Sequence, residues 1–374
     1  MSDDKPMIDR RKLLVAALAG GGVSLAACGR PDEPETPDHW AGFDSRITER
    51  TLAEAEKLFG LEFSESERRQ ILGGPVEDAE DGFFDRQLAS LAKRRAQALP
   101  NTLAPSLAFD PRLPGVDYGI QENRLVLYPE EIEPMPDDRE SIAFASVKAQ
   151  ARWMTTGQLT SRELTDIYLE RIERYGDLLQ CFVTVTADIA REQADAADRE
   201  RARGEVRGPL HGIPYGAKDL LDTEDIRTTW GAETYRDRIA ETDAAVVRML
   251  RDAGAVMLGK TTLGALAWGD VWFGGETRNP WNPKEGSSGS SAGSGSATAA
   301  GLCAFGIGTE TLGSIISPSD RNGLCGLRPT FGRVSRIGAM ALCWSLDKIG
   351  PMCRYAEDNA IVLSAINGYD EFDT

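Results

Sequence analysis

The chain has 374 residues, 41% of them hydrophobic and 27% charged, and a formal net charge of −17. Such an acidic excess argues against nucleic acid or another polyanion as a direct partner and implies a well-solvated surface. Six cysteines with no C-x-x-C spacing and only two histidines argue against a metal cluster, and no residue pattern calls for a cofactor.

In chain order, residues 1–28 read as an export segment. Arg10 and Arg11 precede an apolar stretch from Leu13 to Leu25, too short for a stable membrane span, which ends in Leu25-Ala26-Ala27-Cys28. This resembles a bacterial lipoprotein signal with Cys28 as the lipidated residue. The paired arginines point to twin-arginine export of a folded domain, and hence to a lipid-anchored location in the cell envelope or periplasm. Residues 29–45 form a Pro- and acid-rich tether that includes His39.

Residues 46–139 read as a helical and irregular extension. Leu52, Ala55, Leu58 and Phe59 recur at helical intervals, and Ser64-Glu65-Ser66-Glu67 has capping-box spacing. Pro100 to Pro136 carries no regular element and is expected to wrap the domain that follows.

Residues 140–374 alternate between the two periodicities. Thr160-Ser161-Arg162-Glu163 predicts a capped helix with Leu164, Ile167, Tyr168, Ile172 and Tyr175 on one face, ending before Gly176. Cys181 to Thr186 reads as a strand, and an Ala-rich helix runs on to Gly204. Asp243 is expected to cap a helix ending at Gly254, with a buried strand over Ala255–Leu258 and a late helix over Ala356–Ile366. Helices and strands in this alternation predict an α/β domain with its sheet covered on both faces. There is no solenoid-type repeat.

The chemistry concentrates in two segments. Gly286 to Ser296 is almost wholly glycine and serine, a composition usual for flexible linkers. Here it is flanked by the rigid Asn279-Pro280-Trp281-Asn282-Pro283 and by the small apolar Ala297–Ile307, which reads as a buried helix passing into a strand. Backbone wrapped closely around a reacting group needs such small residues. Gly308-Thr309-Glu310-Thr311-Leu312-Gly313-Ser314 follows.

A serine–histidine triad is disfavoured, since His39 lies in the tether and a lone histidine in a turn, His211, is ordinarily structural. A serine nucleophile without imidazole needs another base, and the usual substitute is a lysine kept neutral by burial. Lys218, in Gly212-Ile213-Pro214-Tyr215-Gly216-Ala217-Lys218-Asp219, is the candidate. The default role for a single such lysine is an ion pair with Asp219.

Taken together, these segments resemble the amidase signature family, whose hydrolases use a Ser–Ser–Lys triad. The similarity continues through Asn322–Ser335 and Ser345–Met352 and covers roughly residues 140–374. It implies a large mixed β-sheet covered by helices on both faces. It also implies Lys218 as base, Ser290 as bridging serine after a cis peptide bond, and Ser314 as nucleophile, with backbone N–H groups of Thr311, Leu312, Gly313 and Ser314 forming the oxyanion hole. The two serines stand 24 residues apart, the family's usual spacing. The activity implied is hydrolysis of a small-molecule amide through an acyl-enzyme on Ser314.

Several positions depart from the family pattern. Leu312 replaces a glycine, Glu310 an aspartate, Ala292 a glycine, and Ile316 stands where relatives place an arginine two residues after the nucleophile. If that arginine normally pairs with the acid, Glu310 is left without its partner. The chain also stops where family members continue, so a missing C-terminal part is expected. Two further readings belong beside the amidase: a glutaminase-type amidotransferase component, and a catalytically impaired binding relic. An exported location would permit a disulfide among Cys181, Cys303, Cys325, Cys343 and Cys353.

Overall fold

The computed structural model describes residues 47–72, 90–97, 112–113, 115–120, 125–127 and 134–373. The expected export segment with Cys28 and the expected tether with His39 lie outside the described residues. The chain divides into two compact units, Met1–Pro105 and Ser106–Thr374.

In the first unit, α1 (Glu49–Phe59) starts from Thr48, whose side chain and that of Thr51 cap each other's backbone N–H, and stops at Gly60 in the left-handed conformation. Helix α2 (Glu65–Ile71) opens on the expected capping box: Ser64 N–H donates to Glu67 at 2.7 Å, and Glu67 N–H to Ser64 Oγ at 3.3 Å. Arg68 ties the two helices by an ion pair with Glu56 at 2.6 Å.

In the second unit Leu125, Leu127 and Met135 pack on the main core. Helices α3 (Arg139–Phe144), α4 (Val147–Thr155) and α5 (Ser161–Leu179) follow. The Thr160–Glu163 capping box forms, and Leu164, Ile167, Tyr168 and Ile172 are buried. Helix α5 runs through Gly176, one turn beyond the expected end. Leu179 gains burial in that turn, and Gln180, at φ 49°, supplies the left-handed stop.

Strand β1 (Phe182–Val185), α6 (Ala187–Ala202), β2 (Pro214–Lys218), α7 (Ala245–Asp252) and β3 (Val256–Thr261) come next. Asp243 does not cap α7. Its carboxylate accepts Glu224 N–H at 2.8 Å and meets Arg251, so α7 starts from Ala244 without a side-chain cap. Short ribbons β4 (Val271–Trp272), β5 (Gly275–Glu276), β6 (Arg278–Asn279) and β7 (Asn282–Gly286) lead into α8 (Ala292–Ala299) and β8 (Phe305–Glu310). Helix α9 (Ile316–Asn322), β9 (Cys325–Gly326), β10 (Lys348–Cys353) and α10 (Ala356–Ile366) complete the unit.

Six strands form one mixed sheet in the order β1-β3-β2-β8-β10-β9. The central pairs β3–β2 and β2–β8 are parallel, and β1–β3, β8–β10 and β10–β9 are antiparallel. Helices flank the sheet, as expected of an α/β domain. Helix α8 packs over β2, β3, β8 and β10, and every one of its residues is buried. Only a helix of glycine, alanine, serine and threonine can lie this close: a Cβ on Gly308 of β8 would come 2.8 Å from Ser291 Oγ. The Gly/Ser run is therefore core, not linker.

Candidate active site

Parallel pairing of β2 with β8 brings the end of the lysine strand beside Thr309, and α8 lowers the serine loop onto both. Lys218 is fully buried. Its Nζ lies within hydrogen-bond distance of Ser290 Oγ at 2.9 Å, Ser291 Oγ at 3.0 Å, Thr309 Oγ1 at 2.9 Å and the Thr309 carbonyl at 3.3 Å. Burial pushes its amine well below the ordinary lysine range, while the charges of Asp347 and Glu310 pull the other way without cancelling that effect. Its environment is thus one of hydroxyls, which suits a neutral amine acting as a base.

The ion pair with Asp219 does not form. Asp219 sits 3.7 Å from Lys260, a second fully buried lysine on β3, and accepts the N–H and hydroxyl of Thr229. Burial lowers the Lys260 amine to about 8, against the opposing pull of Asp219. His211 is also structural: it is buried, its Nε2 lies 2.9 Å from the Ala197 carbonyl, and desolvation lowers its pKa.

The peptide bond from Gly289 to Ser290 is cis. Ser288 N–H donates to Asp270 at 2.8 Å, and Asn322 Nδ2 donates to the Ser287 carbonyl at 2.9 Å, fastening the loop just before this bond. Ser291 N–H donates to the Ser314 carbonyl at 3.2 Å, so the serine loop and the Thr311–Ser314 turn are joined through backbone. Ser290 and Ser314 line one cleft of about 710 Å³ together with Trp268, Asp270, Leu312 and Gly313. A hollow of about 730 Å³ between α5, β1 and Trp272 holds none of the site residues read from the sequence.

The turn from Thr311 to Ser314 is compact, with Gly313 at φ 92°, and Leu312 is 90% exposed at the cleft. Glu310 does not lack a partner: Arg328 donates to its Oε1 at 3.1 Å, replacing the arginine expected at position 316. Burial would raise the Glu310 carboxyl, but the N–H groups of Ile316, Ile315 and Gly313, together with Arg328, hold it below the usual range. Thr309, which hydrogen-bonds Lys218 with its hydroxyl, went unnoticed in the sequence. It lies inside the nucleophile motif, and that adjacency was the available signal. Cys181, Cys303, Cys325, Cys343 and Cys353 are free thiols, none in a disulfide.

A family model described as Amidase matches residues 163–374, which is more than half of the chain. The chain belongs to the amidase family. Among curated relatives, a glutamyl-tRNA(Gln) amidotransferase subunit from Halorhodospira halophila is 46% identical over 221 residues, covering 58% of this chain and 46% of that protein. The chain thus spans about half the length of the curated relatives it matches. Among solved structures, the native peptide amidase of Stenotrophomonas maltophilia is similar with a TM-score of 0.59 and 42% identity, covering 61% of this chain and 49% of that one. An amidase family protein from Bacillus anthracis gives a TM-score of 0.59 at 34% identity, covering 65% and 51%. These likenesses establish the amidase signature fold.

Proposed function

We propose that the chain hydrolyses a carbon–nitrogen bond of a small-molecule amide, with Lys218, Ser290 and Ser314 as a relay. The observation that carries this reading is the fully buried Lys218 amine, 2.9 Å from Ser290 Oγ, with hydroxyls and a carbonyl as its hydrogen-bond partners. Neutral Lys218 takes the proton of Ser290, and Ser290 takes that of Ser314 as the Ser314 oxygen attacks the amide carbonyl. Negative charge building on the carbonyl oxygen is met by backbone N–H groups of the Thr311–Ser314 turn.

The proton held on Lys218 returns through Ser290 to the leaving nitrogen, and the carbon–nitrogen bond breaks. An acyl group then remains on Ser314. Water, deprotonated by the same relay, releases the acid and restores the serine. No cofactor enters any step.

The test is labelling of the soluble domain, starting at Gly29, with a fluorophosphonate, and location of the adduct by mass spectrometry. An adduct on Ser314 that disappears in Lys218→Ala supports the relay. A folded sample without any adduct would favour the binding-relic reading.

A second reading is favoured by the names of the curated relatives: a glutaminase-type component that passes ammonia to a partner. Release of ammonia from glutamine only in the presence of a partner protein would select it. Against it stands the export segment, since that chemistry needs cytosolic ATP and charged tRNA. We place the catalytic unit at the envelope, anchored to the membrane through Cys28, on the strength of residues 1–28.

A further inference from the structure

Glu310 ends β8 immediately before the nucleophile turn, and only 1% of it is exposed. Its Oε2 accepts Ile315 N–H at 2.8 Å and Ile316 N–H at 3.0 Å, while Arg328 Nη1 occupies Oε1 at 3.1 Å. The two residues that follow Ser314 are therefore held by one side chain.

The N–H groups at the start of α9 have no partners within the helix, and α9 has no side-chain cap at Ile315. Glu310 supplies the missing acceptor from a different element. A buried carboxylate is costly unless charge and hydrogen bonds compensate it, and Arg328, itself half exposed, brings the positive charge in from beyond β9.

We propose that Glu310 and Arg328 form a clamp that positions the Ile315–Ile316 backbone, and with it the direction in which the adjoining Ser314 attacks. This rests on the amide-hydrolase reading. The clamp touches no reacting atom: it acts through the turn. Leu312, which points out of the turn, is left free to meet substrate. The clamp also accounts for Ile316. With Arg328 on the carboxylate, position 316 has no need of a cation.

The test compares Glu310→Gln, Arg328→Met and Arg328→Lys with wild type. The readouts are kcat and KM per folded molecule, and amide hydrogen exchange on peptides covering Thr311 to Ser317. Glu310→Gln should lower kcat about 10- to 100-fold with KM changed less than about threefold, since orientation is lost and binding is not. Arg328→Met should lower kcat less, and Arg328→Lys should recover most of that loss.

Exchange at Ile315 and Ile316 should be slow in wild type and faster in Glu310→Gln. Unchanged kcat per folded Glu310→Gln molecule would overturn the proposal, as would fast exchange at Ile315 and Ile316 in wild type. A wild type inert towards amides but showing the protection and its loss would sink the hydrolase reading alone and leave the clamp supported.

Discussion

Asp219 pairs with Lys260 at 3.7 Å and leaves its chain neighbour Lys218 to hydroxyl partners. A carboxylate beside Lys218 would hold the amine protonated and useless as a base. Diverting Asp219 to the adjacent strand keeps the two lysines in different electrostatic company. Lys218→Ala should accordingly abolish the proton relay, with amide hydrolysis reduced about 10²- to 10⁴-fold. Lys218→Arg should do no better, because a guanidinium stays protonated. Steady-state hydrolysis of a matched amide series would check both.

The pH dependence follows from the same amine. Its pKa is lowered by burial, so the neutral, active form appears on raising the pH through a value well below that of a free lysine. Activity is lost as pH falls through that value. Asp347 and Glu310 both favour the charged amine, and Asp347→Asn removes the larger of these two pulls. The acid limb of kcat against pH should therefore move to lower pH in Asp347→Asn. A limb that moved to higher pH would contradict this assignment of the base.

Thr309 is expected to matter through its hydroxyl. Thr309→Val keeps the shape and removes the 2.9 Å contact with Lys218 Nζ. Leaving a buried polar group short of a partner costs about 1–3 kcal/mol, so both Tm and kcat should fall. Thr309→Ser should restore most of each.

Packing of α8 on the sheet gives a purely steric test. Gly308→Ala would put a methyl group 2.8 Å from Ser291 Oγ, tighter than real contacts of this kind. The expected loss is about 1–3 kcal/mol in denaturant unfolding. Activity should fall as well, since Ser291 and Ser290 move together against Lys218.

If the proposed lipid anchor sits on Cys28, Cys28→Ser should shift the protein from the detergent-soluble membrane fraction to the aqueous one. Incorporation of labelled fatty acid into wild type and not into the variant would make the same point.

Local signals in the sequence were read most surely. The capping boxes at Ser64 and Thr160 are complete within four residues, and both form. The late helix falls on Ala356–Ile366, the bounds expected of it. Lys218 and Ser290 are paired through the resemblance to the amidase signature family, since the lysine taken alone reads as an ion-pair partner of Asp219 and the run offers several serines.

What stayed hidden was set by partners distant in sequence. Asp243 looks like a cap until Glu224 and Arg251 claim it. Gly176 looks like a stop until Leu179 finds burial one turn later. The cation on Glu310 comes from Arg328, 18 positions along, across a helix and a strand, and no periodicity links the two.

The Gly/Ser run from Gly286 to Ser296 has the composition of a hinge, yet Ser287, Ser290, Ser291, Ser294 and Ser296 are at most 2% exposed. A protease that seeks flexible glycine-serine stretches will pass it over. Nicking there reports loss of the catalytic architecture itself, so the rate of cleavage within this segment measures how often the site comes apart.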